Sequence, residues 1–324
     1  QWFHRITGRS SARALSESAT FKEALVAFLD GQYSMSIELL QKMLRTYQSG
    51  TLQEQAQALL IQLIPDEIER LLDAGLDIEA IVIAQQNRTF FEKGWLDESL
   101  LFQIGLAFER LTMHSEALQL FLYLRNRSTV LDEESLLFAT IRAAHALGSY
   151  YLVEDLAFEY TYRHPEGAHE LDVLFFRLDC MYAAGQIDEA LQLMPDPLPQ
   201  RLDFRILGAT LHFKKEQYQL TTGILLPVYQ FQRDKLSADT LYILAESLYE
   251  LGEFSSSEEL FDLLIETEKY RRTAHHRILQ LSTRQGKKHT SVPSEYSLAE
   301  EAAADPWHRF ALQDSRFRKL ISNL

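Results

Sequence analysis

Glycine and proline are scarce in this chain, 13 and 8 of 324 residues, each about half of average usage. Turn-rich β-sandwiches and barrels draw heavily on both, so the shortage disfavours them and favours helices. A lone cysteine, Cys180, excludes an intrachain disulfide. That suits a reducing compartment and is equally compatible with a bacterial periplasm. Apolar runs of membrane-spanning length are missing; the nearest stretch, Ile78 to Ala84, contains Glu79. Positive charge is short as well. Lys+Arg 32 against Asp+Glu 46 gives −14, the wrong balance for a general polyanion binder. Glycine-rich phosphate loops, Gly-x-Ser-x-Gly elbows and His-Glu-x-x-His helices do not occur, so no catalytic residue, cofactor site or metal site is assigned. His164 with His169 and Glu170 is the nearest approach to a metal set, and Pro165 and Gly167 interrupt it. Cys180 lies on an apolar stripe beside Leu178 and Met181, as a buried structural thiol would.

What is present is globular, 46% hydrophobic and 24% charged, and it repeats. An apolar helix, a turn residue and a second apolar helix recur around Gly31, Gly75, Thr112, Gly148, Gly185, Glu216, Gly252 and Gly286, at spacings of 44, 37, 36, 37, 31, 36 and 34. Six of the 13 glycines fall on these turns, where positive φ ends a helix. Five residues past each of the first seven turns stands a small or β-branched residue: Ser36, Ala80, Ala117, Val153, Ala190, Thr221 or Ser257. Larger apolar residues follow at helical spacing, such as Leu120-Phe121-Leu124 and Leu260-Phe261-Leu264. Seven before the turn, several copies are small again: Ala24, Gly105, Ala209 and Ala245. Small residues at a crossing let two antiparallel helices approach, and larger ones fill the space beside it. Two irregularities are expected. Pro65 should shorten the third helix, and Pro195, Pro197 and Pro199 should cut the helix after Gly185. The 44-residue spacing before Gly75 calls for extra helix or loop.

The segments LLFQIGLAFERLTMHSEALQLFLYL (100–124) and TLYILAESLYELGEFSSSEELFDLL (240–264) carry an apolar–small–aromatic first helix and a small–aromatic second helix. The chain thereby resembles the tetratricopeptide repeat family over roughly 17–286. The resemblance implies an all-α solenoid of seven to eight helical hairpins in a right-handed superhelix. First helices would line a concave groove that binds a peptide or helix of a protein partner. It places groove residues ten before each turn, at Phe21, Pro65, Phe102, Phe138, Phe175, Ile206, Tyr242 and His276, with Arg142, His145, Asp179, Tyr182, Glu246 and Tyr249 as neighbours. The aromatic members would either anchor a partner or pack between repeats.

Charge is uneven. Lys269, Arg271, Arg272, Arg277, Arg284, Lys287 and Lys288 form a block without acids, leaving 25 Lys/Arg against 46 Asp/Glu, or −21, elsewhere. This block either solvates a terminal capping helix or docks an acidic partner, phospholipid headgroups or, least in keeping with the acidic remainder, nucleic acid. Residues 287–297 read as a linker, and 298–324 as an amphipathic segment with Trp307, Phe310, Phe317, Leu320, Ile321 and Leu324 at helical spacing. Residues 1–16 read as an N-terminal extension, either one that follows a removed leader or anchor or simply an arbitrary boundary of the sequence. The expected function is a non-enzymatic protein-interaction scaffold within a larger assembly. The alternative is a sensor whose C-terminal helix occludes the groove. Protein partners are expected and nucleic acid is not; membrane association would need an anchor ahead of Gln1. A cytoplasmic and a periplasmic or envelope location fit equally.

Overall fold

In a computed structural model, residues 2–89, 94, 96–127 and 130–285 are described, without the side chains of 2–12, 283 and 285. Fifteen α-helices occupy them, and no strand is present among the described residues. In chain order they are α1 (Trp2–Leu29), α2 (Tyr33–Thr46), α3 (Gln53–Asp73), α4 (Asp77–Gln86), α5 (Glu98–Arg110), α6 (His114–Arg125), α7 (Glu133–Ala146), α8 (Tyr150–Arg163), α9 (Glu170–Ala183), α10 (Ile187–Leu193), α11 (Leu202–Lys214), α12 (Tyr218–Gln232), α13 (Ala238–Glu250), α14 (Phe254–Ile265) and α15 (Arg271–Gln285). They pair into seven hairpins, α1/α2 to α13/α14, followed by α15. The chain forms two compact units that meet in sequence at Met194 and Pro195.

The seven turns inside these hairpins share one geometry. Gly31, Gly75, Thr112, Gly148, Gly185, Glu216 and Gly252 all have positive φ, between 58° and 82°. In each, the turn residue's N–H donates to the carbonyl three back, and the next N–H donates to the carbonyl five before itself, as Gly252 to Tyr249 and Glu253 to Leu248 do. This is the Schellman closure of a helix C-terminus. A Cβ at Gly31, Gly75, Gly185 or Gly252 would meet nothing within 4 Å, so glycine serves the backbone angle there and not a tight fit. The eighth turn, at Gly286, lies outside the described residues, as do Lys287, Lys288, the linker 287–297 and the segment 298–324.

The crossings match the register as well. Ser36, Ala80, Ala117, Val153, Ala190, Thr221 and Ser257 are all fully buried. In three copies the small residue also carries a hydroxyl, and it donates across the crossing. Ser36 reaches the Ala24 carbonyl at 2.8 Å, Thr221 reaches Ala209 at 3.3 Å and Ser257 reaches Ala245 at 3.0 Å. A buried hydroxyl is thereby satisfied at each contact point.

Helix starts draw on local chemistry. Asp97, Asp132 and Ser237 cap α5, α7 and α13 by accepting from Leu100, Ser135 and Thr240. At α3 a long-range carboxylate substitutes for the cap. Buried Glu17 of α1 accepts from the Thr51 and Leu52 amides at 3.2 and 2.9 Å. Helix α1 begins at Trp2, and Arg13 and Ser16 bond to Thr46 and Tyr47, so residues from Arg13 onward are tied to the first hairpin.

The expectation of a short third helix is wrong. Helix α3 runs 21 residues, straight through Pro65. An internal proline costs about 3 kcal/mol. Leu60, Leu63, Ile64, Ile68 and Leu71 are all buried around it, and full burial of each such side chain is worth roughly 1.5–3 kcal/mol. Packing outweighs the break, and the added helix accounts for the long spacing before Gly75. The proline-rich stretch behaves as expected: α10 has only seven residues and irregular chain follows it.

Within the first unit the hydrophobic core is continuous from Ala24 to Cys180; within the second it runs from Ala209 to Leu281. Within each unit, every helix packs on its chain neighbours. In addition, first helices touch the next first helix, α3 to α5 to α7 to α9 in the first unit and α11 to α13 in the second. This brings first helices side by side on one face of each unit.

Candidate partner-binding face

On that face of the first unit, side chains six and three residues before one turn meet those of the next repeat. Arg142 on α7 forms a bidentate pair with Glu109 on α5, with Nε to Oε1 at 3.0 Å. The carboxylate raises the pKa of Arg142 above the usual guanidinium value. His145 on α7 bonds through Nε2 to Asp179 on α9 at 2.8 Å. The two pairs are rungs between consecutive first helices, about one repeat apart in sequence.

Rings fill the space beside the rungs. Phe138 lies flat on His169, with centroids 3.8 Å apart, and Arg142 sits 5.4 Å from its centroid. Phe176 stacks against His145 at 4.5 Å and neighbours Phe138 and Phe175 at 6.2 Å. Phe102 meets Phe121, the residue nine past its own turn, at 5.6 Å. Phe21, Phe102 and Phe138 are half-buried against the core. Inter-repeat packing thus uses one side of these rings. Phe175 and Tyr182 are also half-buried.

In the second unit Tyr242 stacks on Tyr270 at 4.6 Å, and burial pushes its phenol up to about 12. Buried Glu246 accepts from Nε and Nη2 of Arg277, at 2.9 and 2.7 Å. Burial works against the Arg277 charge, but the hydrogen bonds to Glu246 outweigh it and hold the proton more tightly. Tyr249 donates to Gln280 at 3.3 Å and lies between Arg277 and Arg284, 4.3 and 4.9 Å from its centroid. Ile206 is half-buried and His276 is exposed.

The basic block is largely engaged within the second unit. Lys269 pairs with Asp239 at 2.7 Å, Arg271 donates to the Ile265 carbonyl at 3.2 Å, and Arg277 pairs with Glu246. Arg272 also has interactions within the chain. Sequence reasoning missed Glu109, His169, Phe176, Tyr270 and Gln280. The signal was available in the register: positions three and six before successive turns hold Glu109 and Arg142, then His145 and Asp179.

Cys180, His164 and His169 are packed into the fold. Burial raises the Cys180 thiol to about 12, so its thiolate is disfavoured. His169 stacks on Phe138 and His164 lies beside Tyr160, so these two histidines pack separately. No group of three His, Cys, Asp or Glu suited to a metal ion occurs among the described residues. No helix among them is long and apolar enough to cross a membrane.

Schellman-closed hairpins with small crossing residues, stacked on one another within each unit, define the class: this is a tetratricopeptide-like, all-α helical repeat protein. Among solved structures the chain is similar to a tetratricopeptide repeat protein from Parabacteroides merdae ATCC 43184, at 11% identity over 83% of this chain and 99% of that one, with a TM-score of 0.44. It is also similar to the apo form of the quorum sensor NprR from B. thuringiensis, at 14% identity over 94% of each chain and a TM-score of 0.46. The APC/C hetero-tetramer Cut9–Hcn1 matches at 13% identity over 97% of this chain and 57% of that one, with a TM-score of 0.46. No family model and no curated protein matches the sequence.

Proposed function

We propose that the chain is a non-enzymatic scaffold that holds a peptide or helix of a protein partner along its first-helix face, within a larger assembly. The observation that carries this reading is the periodic face of α5, α7 and α9. There half-buried rings alternate with ion-paired rungs at a constant repeat register. Rungs hold the rings in place, and preorganised aromatics bind with little ordering cost. A photo-crosslinking residue at Phe175 or at Tyr182, both half-buried on α9, tests it. Adducts with a protein at these positions, and none from a crosslinker at exposed Glu189 on α10, support the proposal. Recovery of only RNA or a small metabolite, or no adduct from either groove position, overturns it.

A further inference from the structure

Three strongly exposed aromatics lie on one second helix and take no part in the face described above. Tyr151, Phe158 and Tyr162 of α8 are 93%, 68% and 82% exposed. With Asp155 they fall at i, i+4, i+7 and i+11, which is a single stripe along the helix. The opposite stripe, Val153, Leu156, Ala157 and Tyr160, is buried in the core. Nothing in the packing of the unit requires rings on the outer stripe.

Charge on this helix is sorted in an informative way. Glu154 is neutralised by Arg177, and Glu159 by Arg125 and Arg163; Arg163 also pairs with Glu133. Asp155, exposed between Tyr151 and Phe158, makes no ion pair or hydrogen bond among the described residues. The stripe therefore offers three ring faces and one free carboxylate, while the cations around it are already spent. A ligand that matches it has apolar side chains at helical spacing and an Arg or Lys among them. Such a cation can pair with Asp155 and lie over a ring.

We propose that the α8 stripe is a second docking site, for a single amphipathic helix of a partner protein bearing a basic residue on its apolar face. A second copy of this chain fits less well. Three buried aromatics cover roughly 450–750 Å² at most, short of the ~800 Å² per partner that a stable interface needs. A helix of 14 residues, about 21 Å long, presents the right length for one helix laid along it.

The test uses the whole chain and two fluorescent 18-residue probe helices with leucines at i, i+4, i+7 and i+11. One probe carries arginines beside the leucines, and its twin carries glutamates. By anisotropy the arginine probe is expected to bind at least tenfold tighter than its twin, and Phe158→Ser with Tyr162→Ser to weaken it tenfold or more. Asp155→Arg is expected to reverse the preference between probes, a result that a folding defect cannot produce. Equal binding of the two probes, or affinities unchanged in all variants, overturns the proposal. So does a dimer in sedimentation that Phe158→Ser dissociates, which would make a second copy the occupant. Substitutions at Phe175 or Tyr182 are expected to leave this binding intact, so the two sites stand or fall separately.

Discussion

Phe121 of α6 occupies the space that a β-carbon on Gly105 of α5 would need. An added Cβ there would come within 3.0 Å of both Cδ1 and Cζ of the ring, closer still to the atom between them. The Phe121 ring is fully buried, and Phe102 packs against it, so it cannot retreat. Gly105 is thus a packing glycine inside a helix, where alanine would otherwise gain about 1 kcal/mol from propensity. Overpacking a core costs roughly 1–3 kcal/mol, and here both rings must shift. Gly105→Ala is expected to lower stability by about 1–2 kcal/mol net in denaturant titration. The added Phe121→Leu change should recover part of the loss, because it vacates the contested volume. Additive losses in the double variant would show that the two residues do not compete.

Thr112 and Glu216 hold the same turn as five glycines, at φ of 60° and 58°. Left-handed backbone costs an L-residue roughly 1–2 kcal/mol, offset in part by the greater chain entropy that glycine loses on folding. Thr112→Gly and Glu216→Gly are therefore each expected to stabilise the protein by about 0.5–1 kcal/mol, with Thr112 gaining more because it is β-branched. Thermal unfolding of the two variants checks this. A fall in melting temperature for both would mean that their side chains contribute more than the backbone strain removes.

Those two positions also show what the sequence made legible. Neither is glycine, yet the spacing alone marked both as turns, because the crossing residues Ala117 and Thr221 five places on are small and the stripes beyond them are apolar. Positions that depend on contacts across a repeat were harder. Proline chemistry predicted a break at Pro65, and only the burial of Leu63, Ile64 and Ile68 around it explains the continuous helix. The candidate site residues fall on first helices, but the ion pairs between repeats were not foreseen. Arg142 and Asp179 look like free groove charges until adjacent repeats are superposed in register, which sets Glu109 and His145 beside them.

The pairing of Glu246 with Arg277 decides how the basic block behaves. The Glu246 side chain is 6% exposed, and Arg277 supplies two hydrogen bonds to it. Removing the cation leaves a desolvated carboxylate, and breaking a buried pair costs about 3–5 kcal/mol; residual access of Arg277 to water brings this nearer 2–3 kcal/mol. Arg277→Ala should therefore destabilise strongly, and Glu246→Gln in the same chain should restore part of the loss. Lys269→Ala, whose pair with Asp239 is exposed, should cost well under 1 kcal/mol. Chemical denaturation of the three variants separates the cases. Equal small losses for Arg277→Ala and Lys269→Ala would return the whole block to the surface.

Glu67 gives the array an acid-sensitive rung. Its side chain on α3 is fully buried, and burial raises its pKa, but hydrogen bonds from Arg70 at 2.7 and 2.9 Å and from Ser34 at 2.5 Å outweigh that. The net position is below the ordinary 4.5. A carboxyl whose folded pKa is depressed contributes stability above its unfolded pKa and loses it as pH falls through the folded one. Melting temperature should accordingly hold from neutral pH to about 4.5 and fall below it. Asp77 beside Arg110, and Asp132 accepting from Ser135, are depressed in the same direction. Their contribution remains when Glu67 is changed. Glu67→Gln should be less stable at pH 7, because neutral glutamine cannot serve Arg70 and Ser34 equally well, and its decline below pH 4.5 should be shallower than the wild type's. Parallel curves for the two proteins from pH 7 to 3 would mean that Glu67 does not change protonation on unfolding in that range.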